Sequence, residues 1–172
     1  MNLIVRLIWM WLTATFGSKR DMDGENHIHF RCMPWDLDLN MHMTNSRYHS
    51  FMDLSRVDFM IRGGAWKRLR AAGLGPVLGS STIRFRRPIA PFQKFDVTTR
   101  LLTWDERWIY LEQRILAGGD VASIAVMKVT FVGRQGPVPT DKLIAIMGYT
   151  GPKREAPEHV ARKIALDDVL KV

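Results

Sequence analysis

The feature that most constrains the fold of this chain is a succession of four long segments rich in Val, Ile, Thr, Phe and Trp. These segments are 77–85, 95–103, 108–116 and 121–132. β-Branched and aromatic residues favour extended backbone, so each segment predicts a strand. Short turn-forming stretches at 105–106 and 118–120 join the last three segments as hairpins. The pattern therefore predicts a sheet in which these strands are antiparallel neighbours.

One long amphipathic helix precedes this sheet. From Asn45 onward, apolar residues recur at the i, i+3, i+4 spacing that gives a helix one buried face. Gly63 and Gly64 interrupt the pattern, and residues 65–72 predict a short second helix. Residues 27–33 predict a first strand. Because the sheet has an apolar face that must be covered, we predict an α+β fold in which a curved antiparallel sheet wraps the long central helix.

The chain of 172 residues is long enough for one ordinary domain and too short for two. We divide it into a hydrophobic N-terminal segment, a polar linker, one domain and a C-terminal tail: 1–18, 19–26, 27–150 and 151–172. Short helices are predicted near the end of the domain and in the tail, at 141–147 and 158–170.

Composition excludes several functional classes. The single cysteine, Cys32, excludes an internal disulfide framework and a Cys-rich zinc site. His27 and His29 have no third ligand nearby, so we expect no metal, and the absence of a Gly-rich phosphate loop leaves no predicted cofactor. The chain has 25 Lys and Arg residues against 17 Asp and Glu residues, which gives a net charge of +8. A net positive charge attracts polyanions. The basic residues are dispersed without a stacking motif, which disfavours nucleic acid.

Residues 1–16 are strongly apolar but fall short of the roughly 20 residues that cross a bilayer. Arg6 interrupts the run, which argues against a usual signal peptide. Two interpretations remain open. The segment is a membrane-surface helix with Trp9 and Trp11 at the interface, or a helix docked on the domain or on a second subunit. We expect a cytoplasmic protein, peripheral to the membrane under the first interpretation.

The densest polar cluster lies in the loop just before the long helix. Asp38, Asn40 and His42 alternate, so their side chains would share one side of a locally extended segment. A carboxylate can act as a base or nucleophile, and a histidine can transfer protons. The unpaired amides near Ser46 and Arg47, at the helix start, can polarise a carbonyl. Hydrolysis of an acyl compound requires these groups.

The same residue types also occur where a loop simply turns and a helix begins. Under that interpretation Thr44 or Asn45 caps the helix, and Asp36 and Asp38 close turns. Spacing alone leaves both interpretations open.

The spacing of the cluster resembles the pattern of hotdog-fold acyl thioesterases, D-x-x-x-H-x-x-N-x-x-Y-x-x-Y/F-x-E/D-x-x-R. The matching residues are Asp38, His42, Asn45, Tyr48, Phe51, Asp53 and Arg56. Strings at 34–38, 42–48, 84–88 and 102–105 resemble the branch that includes thioesterase superfamily member six. The resemblance spans about residues 28–150. It implies a hotdog fold and a homodimer joined edge to edge, with a tetramer as the alternative assembly.

The resemblance also implies roles within the loop. Asp38 would be the nucleophile or general base, Asn40 would orient the thioester or the water, and His42 would assist proton transfer. Asn45 would brace the loop and cap the helix. Met41 departs from the family, which usually has Gly before the histidine. We expect the larger side chain to narrow the loop.

Further candidates lie outside the loop. Asp53 would pair with Arg56 as a support or face a partner subunit. Tyr48, Phe51 and Met52 would line an acyl channel, although the same residues also suit a core. Two basic groups are candidates for the phosphates of coenzyme A, or else form a solvated face: Lys67, Arg68 and Arg70, and Arg84, Arg86 and Arg87.

These features predict an acyl-CoA hydrolase, with an acyl carrier protein as the alternative thioester carrier. Asp38 would activate water directly or form an acyl-enzyme anhydride, and the helix-start amides would hold the oxyanion. The alternative is a hotdog protein that binds acyl-CoA or lipid without catalysis, which Met41 favours. The strings D-x-N-P-x-H and H-F-P-G of hotdog dehydratases do not occur in the sequence.

Overall fold

The computed structural model describes residues 2–169. Residue 1, where the predicted N-terminal segment begins, and residues 170–172, where the predicted tail ends, lie outside the described residues. The helices are α1 (Asn2–Phe16), α2 (Asn45–Arg62), α3 (Ala65–Ala71), α4 (Thr140–Met147) and α5 (Glu158–Val169). The strands are β1 (Asn26–Arg31), β2 (Gly75–Phe85), β3 (Lys94–Trp104), β4 (Ile109–Ala117), β5 (Asp120–Gly133) and β6 (Gly136–Pro137).

The strands form one antiparallel sheet in the order β1-β3-β4-β5-β2, with β6 paired to β5. The predicted hairpins β3–β4 and β4–β5 are confirmed, because the two segments rich in turn-forming residues leave only short connections. Strands β1 and β2 lie at the two ends of this order. The predicted α+β class is therefore confirmed, and so is the order of its elements.

Helix α2 packs against the inner face of the curved sheet, as the hotdog fold requires. Phe51 of α2 is fully buried and packs at a tilt against Phe30 of β1 and edge-on against Phe95 of β3. Buried polar groups fix the helix as well, since the Gln113 side chain donates to the Met52 carbonyl at 2.9 Å. These contacts hold the start of α2 in a defined position above the sheet.

Helix α5 covers part of the outer face of the same sheet. Val160 is fully buried in a small apolar cluster with Leu102, Tyr110 and Val126. Lys163 donates to the hydroxyl of Ser80 at 2.9 Å. The sequence predicted this helix, but its docking on the sheet depends on partners that are distant in the chain.

Helix α1 docks on the domain with an arginine on its inner face and many apolar residues on its outer face. Its inner face carries Met10 and Ala14, which are buried, and Arg6, whose side chain is only 16% exposed. Eight other large apolar residues are exposed, although Trp11 also packs edge-on against Trp66: Ile4, Val5, Leu7, Ile8, Trp9, Trp11, Leu12 and Phe16. The buried Met10 and Ala14 show that α1 docks on the domain, and the membrane-surface interpretation of its outward face stays a prediction. No helix within residues 2–169 is long and apolar enough to span a membrane.

Candidate active site

The loop between β1 and α2 is a tight turn closed by its own backbone. Leu37 and Met43 form an isolated antiparallel bridge. The Asp38 amide donates to the His42 carbonyl at 2.9 Å, and the Met41 amide donates to the Asp38 carbonyl at 3.1 Å. The segment is therefore not extended, and simple alternation does not align its side chains. The turn instead places Asp38 and His42 opposite each other.

The Asp38 carboxylate helps to close this turn. Its Oδ1 accepts the Asn40 amide at 2.8 Å and the His42 amide at 3.4 Å. The turn-closing interpretation is thus correct for Asp38, and it is compatible with chemistry because the residue remains exposed. Asn40 and His42 are exposed too. All three residues are therefore accessible from solvent.

Met41 adopts the left-handed backbone conformation, with φ of 58°. Glycine reaches this region without steric cost, whereas a residue with a Cβ is strained there. A glycine before the histidine, as in the thioesterases that the loop resembles, would adopt this conformation without that strain. The Met41 side chain is 60% exposed, so it projects into solvent from the turn.

Asp36 anchors the stem of the loop and is fully buried. Arg6 of α1 donates two hydrogen bonds to its carboxylate, at 2.9 and 2.7 Å. The Arg47 Nε lies 3.4 Å from the same carboxylate. The Met33 amide adds a further bond at 2.9 Å. The sequence predicted only a turn-closing role here, and the one visible signal for Arg6 was a charge placed within an apolar run.

The start of α2 differs from the predicted cap. Thr44 occupies the N-cap position, yet its side chain makes no capping hydrogen bond. Asn45 is the first helical residue and so does not cap the helix. The Arg47 amide donates to the Thr44 carbonyl at 2.9 Å, which removes it from the candidate oxyanion donors. The amides of Asn45 and Ser46 remain the candidates at this helix start, where the helix dipole favours negative charge.

Tyr48, Phe51 and Met52 are core residues in the structure. Phe51 and Met52 have no exposed surface, and Tyr48 retains only 2%. None of the three lines an apolar cavity of about 230 Å³ that lies further along α2. Its apolar walls come from α2, from the start of β2, from β3 to β5, from the segment before β1 and from α4: Val57, Phe59, Met60, Pro76, Val77, Leu78, Leu101, Ile109, Leu111, Val129, Phe131, Met22 and Met147.

Asp53 and Arg56 form an ion pair at one wall of this cavity. The Arg56 side chain is largely buried and donates to the Gln113 side chain at 2.6 Å. Burial lowers the pKa of the Arg56 guanidinium to about 10. The pairing that the sequence suggested is present, and it leaves the Asp53 carboxylate exposed beside the apolar cavity.

The structure separates the two basic groups. Arg84 and Arg86 are exposed near the end of β2, and the neighbouring Arg87 carbonyl accepts the Tyr48 hydroxyl at 3.4 Å. Lys67 and Arg68 lie on α3, beyond the far end of an 18-residue helix that is about 27 Å long.

The two basic groups also differ in the contacts that their side chains make. Arg68 donates to the Met147 carbonyl at 2.8 Å, whereas Arg87 pairs with Asp120 on the surface. The backbone at Arg87 therefore lies near the first half of α2, whereas Lys67 and Arg68 lie beyond its far end.

A long helix wrapped by a curved antiparallel sheet defines a hotdog protein. The sequence profile of the thioesterase-like superfamily matches residues 32–164, and the chain belongs to that family.

Individual proteins show the same relationship. A zebrafish (Danio rerio) protein named THEM6 is 37% identical over 124 residues, which cover 72% of this chain and 61% of the relative. The chain thus spans less than two thirds of that relative. The solved structure of YbaW, a probable thioesterase from Escherichia coli, has a TM-score of 0.67 at 20% identity, covering 70% of this chain and 95% of that one. The gentisyl-coenzyme A thioesterase BH1999 has a TM-score of 0.63 at 18% identity, covering 70% and 99%.

Proposed function

We propose that this chain hydrolyses acyl thioesters and that acyl-CoA is its substrate class. The observation that carries the proposal is the turn that holds Asp38 and His42 opposite each other, directly before a helix start without a side-chain cap. Membership of the thioesterase-like superfamily supports it, and so does the structural likeness to a thioesterase that acts on a coenzyme A ester.

The chemistry needs one base, one oxyanion site and one proton donor. Asp38 takes a proton from water as the water oxygen attacks the thioester carbonyl, or its carboxylate attacks and forms an anhydride that water then cleaves. The amides of Asn45 and Ser46 stabilise the oxyanion. In either route the carbon–sulfur bond breaks when the first tetrahedral intermediate collapses, which in the anhydride route precedes the attack of water, and the thiolate takes a proton from His42. The proton that the attacking water loses then returns to His42 and leaves Asp38 ionised for the next cycle. Asn40 orients the thioester or the water.

The phosphates of the carrier would lie against Arg84, Arg86 and Arg87. These residues lie on either side of Phe85 at the end of β2, and Phe85 packs edge-on against Tyr48 in the first half of α2. An acyl carrier protein presents the same phosphopantetheine arm, so it remains the alternative carrier.

Thiol release from a panel of acyl-CoAs tests this proposal. The panel runs from short aliphatic to long-chain and aromatic acyl groups. We expect at least one class to turn over. If the folded protein turns over none of them but retains an acyl-CoA for hours, the alternative of a non-catalytic acyl-CoA or lipid carrier replaces the enzyme.

The apolar cavity along α2 is the proposed site for the acyl chain. Val57→Phe fills part of this space, so we expect kcat/KM for long acyl chains to fall about tenfold, while short acyl groups are little affected. Leu166→Phe, on the exposed surface of α5, is the matched control. An equal loss for every chain length in Val57→Phe would place the acyl chain elsewhere.

We also propose a homodimer that forms along β2, the strand at one end of the sheet. This strand pairs with β5 on one side and exposes Val77 and Leu78. A second copy can add its own β2 there and satisfy the free backbone groups. Light scattering should give twice the chain mass of 19.8 kDa, whereas the mass of one chain would refute this arrangement. Four times that mass would indicate the tetramer.

The outward apolar face of α1 suits an anionic membrane surface, because it lies on a chain with a net charge of +8. Replacing both Trp9 and Phe16 by Gln should weaken binding to anionic vesicles about tenfold or more, since both side chains are largely exposed. Replacing the exposed Leu166 and Val169 of α5 by Gln is the control. Equal vesicle binding by both double variants would exclude α1 as the membrane contact.

A further inference from the structure

Arg6 is the one charged residue of α1, and its side chain points into the domain. Its guanidinium makes two bonds to the Asp36 carboxylate and a third, at 3.3 Å, to the Arg31 carbonyl. It also lies over the Phe51 ring, 4.7 Å from the centroid. Because Asp36 is fully buried, its negative charge depends on enclosed partners of this kind.

Asp36 in turn fixes both sides of the candidate catalytic loop. Its carbonyl accepts the Thr44 amide at 2.9 Å, which positions the residue before α2. Its carboxylate accepts the Met33 amide on the side nearer β1. Leu37, the residue after Asp36, forms the bridge to Met43. The hydrogen bond from the Asp38 amide to the His42 carbonyl then closes the turn beyond this bridge. The geometry of this turn therefore rests on a carboxylate that α1 holds.

We propose that Arg6 is a positioning residue for the loop that carries Asp38, which makes α1 part of the catalytic unit. The kinetic part of this proposal rests on the proposed thioesterase function. In the charge cluster at Asp36, Arg6 is the partner with two short bonds, whereas the nearest contact of Arg47 is 3.4 Å. Without Arg6, the carboxylate would draw in water or shift toward Arg47, and the turn would move with it.

The other end of α1 provides a matched control. Arg62 of α2 pairs with buried Asp58 and donates to the Thr13 carbonyl of α1 at 3.1 Å. This second arginine also joins a buried carboxylate to α1, yet within residues 2–169 it forms no hydrogen bond or ion pair with residues 36–44. Arg62→Met therefore removes one contact at the C-terminal end of α1 and does not touch the pair between Arg6 and Asp36.

Steady-state kinetics of Arg6→Met and Arg62→Met, measured below the unfolding transition of both, test the proposal. We expect kcat to fall about 10- to 100-fold in Arg6→Met with a smaller change in KM, and to stay near the wild-type value in Arg62→Met. Arg6→Lys keeps the charge and should recover part of kcat. Equal loss of kcat in both methionine variants would overturn the proposal.

Hydrogen exchange gives a readout that does not require turnover. The amides of Asn40, Met41 and His42 all donate to Asp38 and report on the turn. We expect Arg6→Met to speed their exchange about tenfold or more and Arg62→Met to leave it unchanged. Wild-type exchange in Arg6→Met refutes the proposal. Faster exchange together with an inactive wild-type protein would leave it standing and refute only the thioesterase function.

A double variant provides a test even if Arg6→Met alone does not fold. Replacing Arg6 by Met and Asp36 by Asn together removes the uncompensated buried charge but still lacks the contact to α1. Its turn amides should exchange as fast as those of Arg6→Met. If the turn amides of this double variant exchanged as slowly as those of the wild type, the turn would not need α1.

Discussion

Replacing Asp38 by Asn is expected to lower acyl-CoA turnover by about 10²- to 10⁴-fold while the fold and the loop persist. The asparagine side-chain oxygen can still accept the Asn40 amide, which the Asp38 Oδ1 accepts at 2.8 Å in the wild type. The substitution therefore preserves the turn and removes only the negative charge, whether that charge acts as a base or as a nucleophile. Thiol release at saturating acyl-CoA, with circular dichroism as a check on folding, measures the effect.

Asp21→Asn is the matched control for this experiment. The Asp21 Oδ1 accepts the Asp23 amide at 3.0 Å, so it closes the same type of turn between α1 and β1. We expect this variant to keep wild-type turnover. If Asp38→Asn retained activity close to that of Asp21→Asn, the reaction would proceed without the Asp38 carboxylate and the catalytic group would have to be sought elsewhere.

The regular elements were predictable because local patterns determine them. Long alternating or β-branched segments must form strands, and the spacing from Asn45 onward buries one helix face against the sheet. The position of the candidate loop followed from a resemblance that fixes Asp38 and His42 relative to the helix. These inferences depend on residues that lie close together in the sequence.

The parts that were not predictable depend on distant partners or on backbone conformation. Arg6 lies 30 residues from Asp36, and nothing in a local pattern indicates that a charge on an apolar helix points inward. The turn at 38–42 depends on a positive φ at Met41, which residue type alone does not predict. The cavity lies beside Val57 because the side chains earlier in α2 fill the core completely.

Replacing Arg62 by Met is expected to lower the free energy of unfolding by about 3–5 kcal/mol. Its Nε donates to both carboxylate oxygens of Asp58, at 2.9 and 3.1 Å, and the Asn26 side chain donates to the same carboxylate at 2.7 Å. Asp58 is fully buried, so removing the guanidinium leaves a charge that a single amide group cannot compensate. Urea unfolding followed by tryptophan fluorescence measures the loss.

Two further variants separate the buried charge from the other contacts of Arg62. Adding Asp58→Asn to Arg62→Met removes the uncompensated charge, so we expect the double variant to regain more than half of the lost stability. Arg162→Met on α5 breaks a pair with the same spacing, Glu158 to Arg162, but both side chains are more than three-quarters exposed. Its expected cost is below about 0.5 kcal/mol. Arg62→Met could instead lower the free energy of unfolding by no more than Arg162→Met does. In that case water or a proton would compensate the Asp58 carboxylate, and α1 would not depend on the pair of Asp58 and Arg62 for its docking.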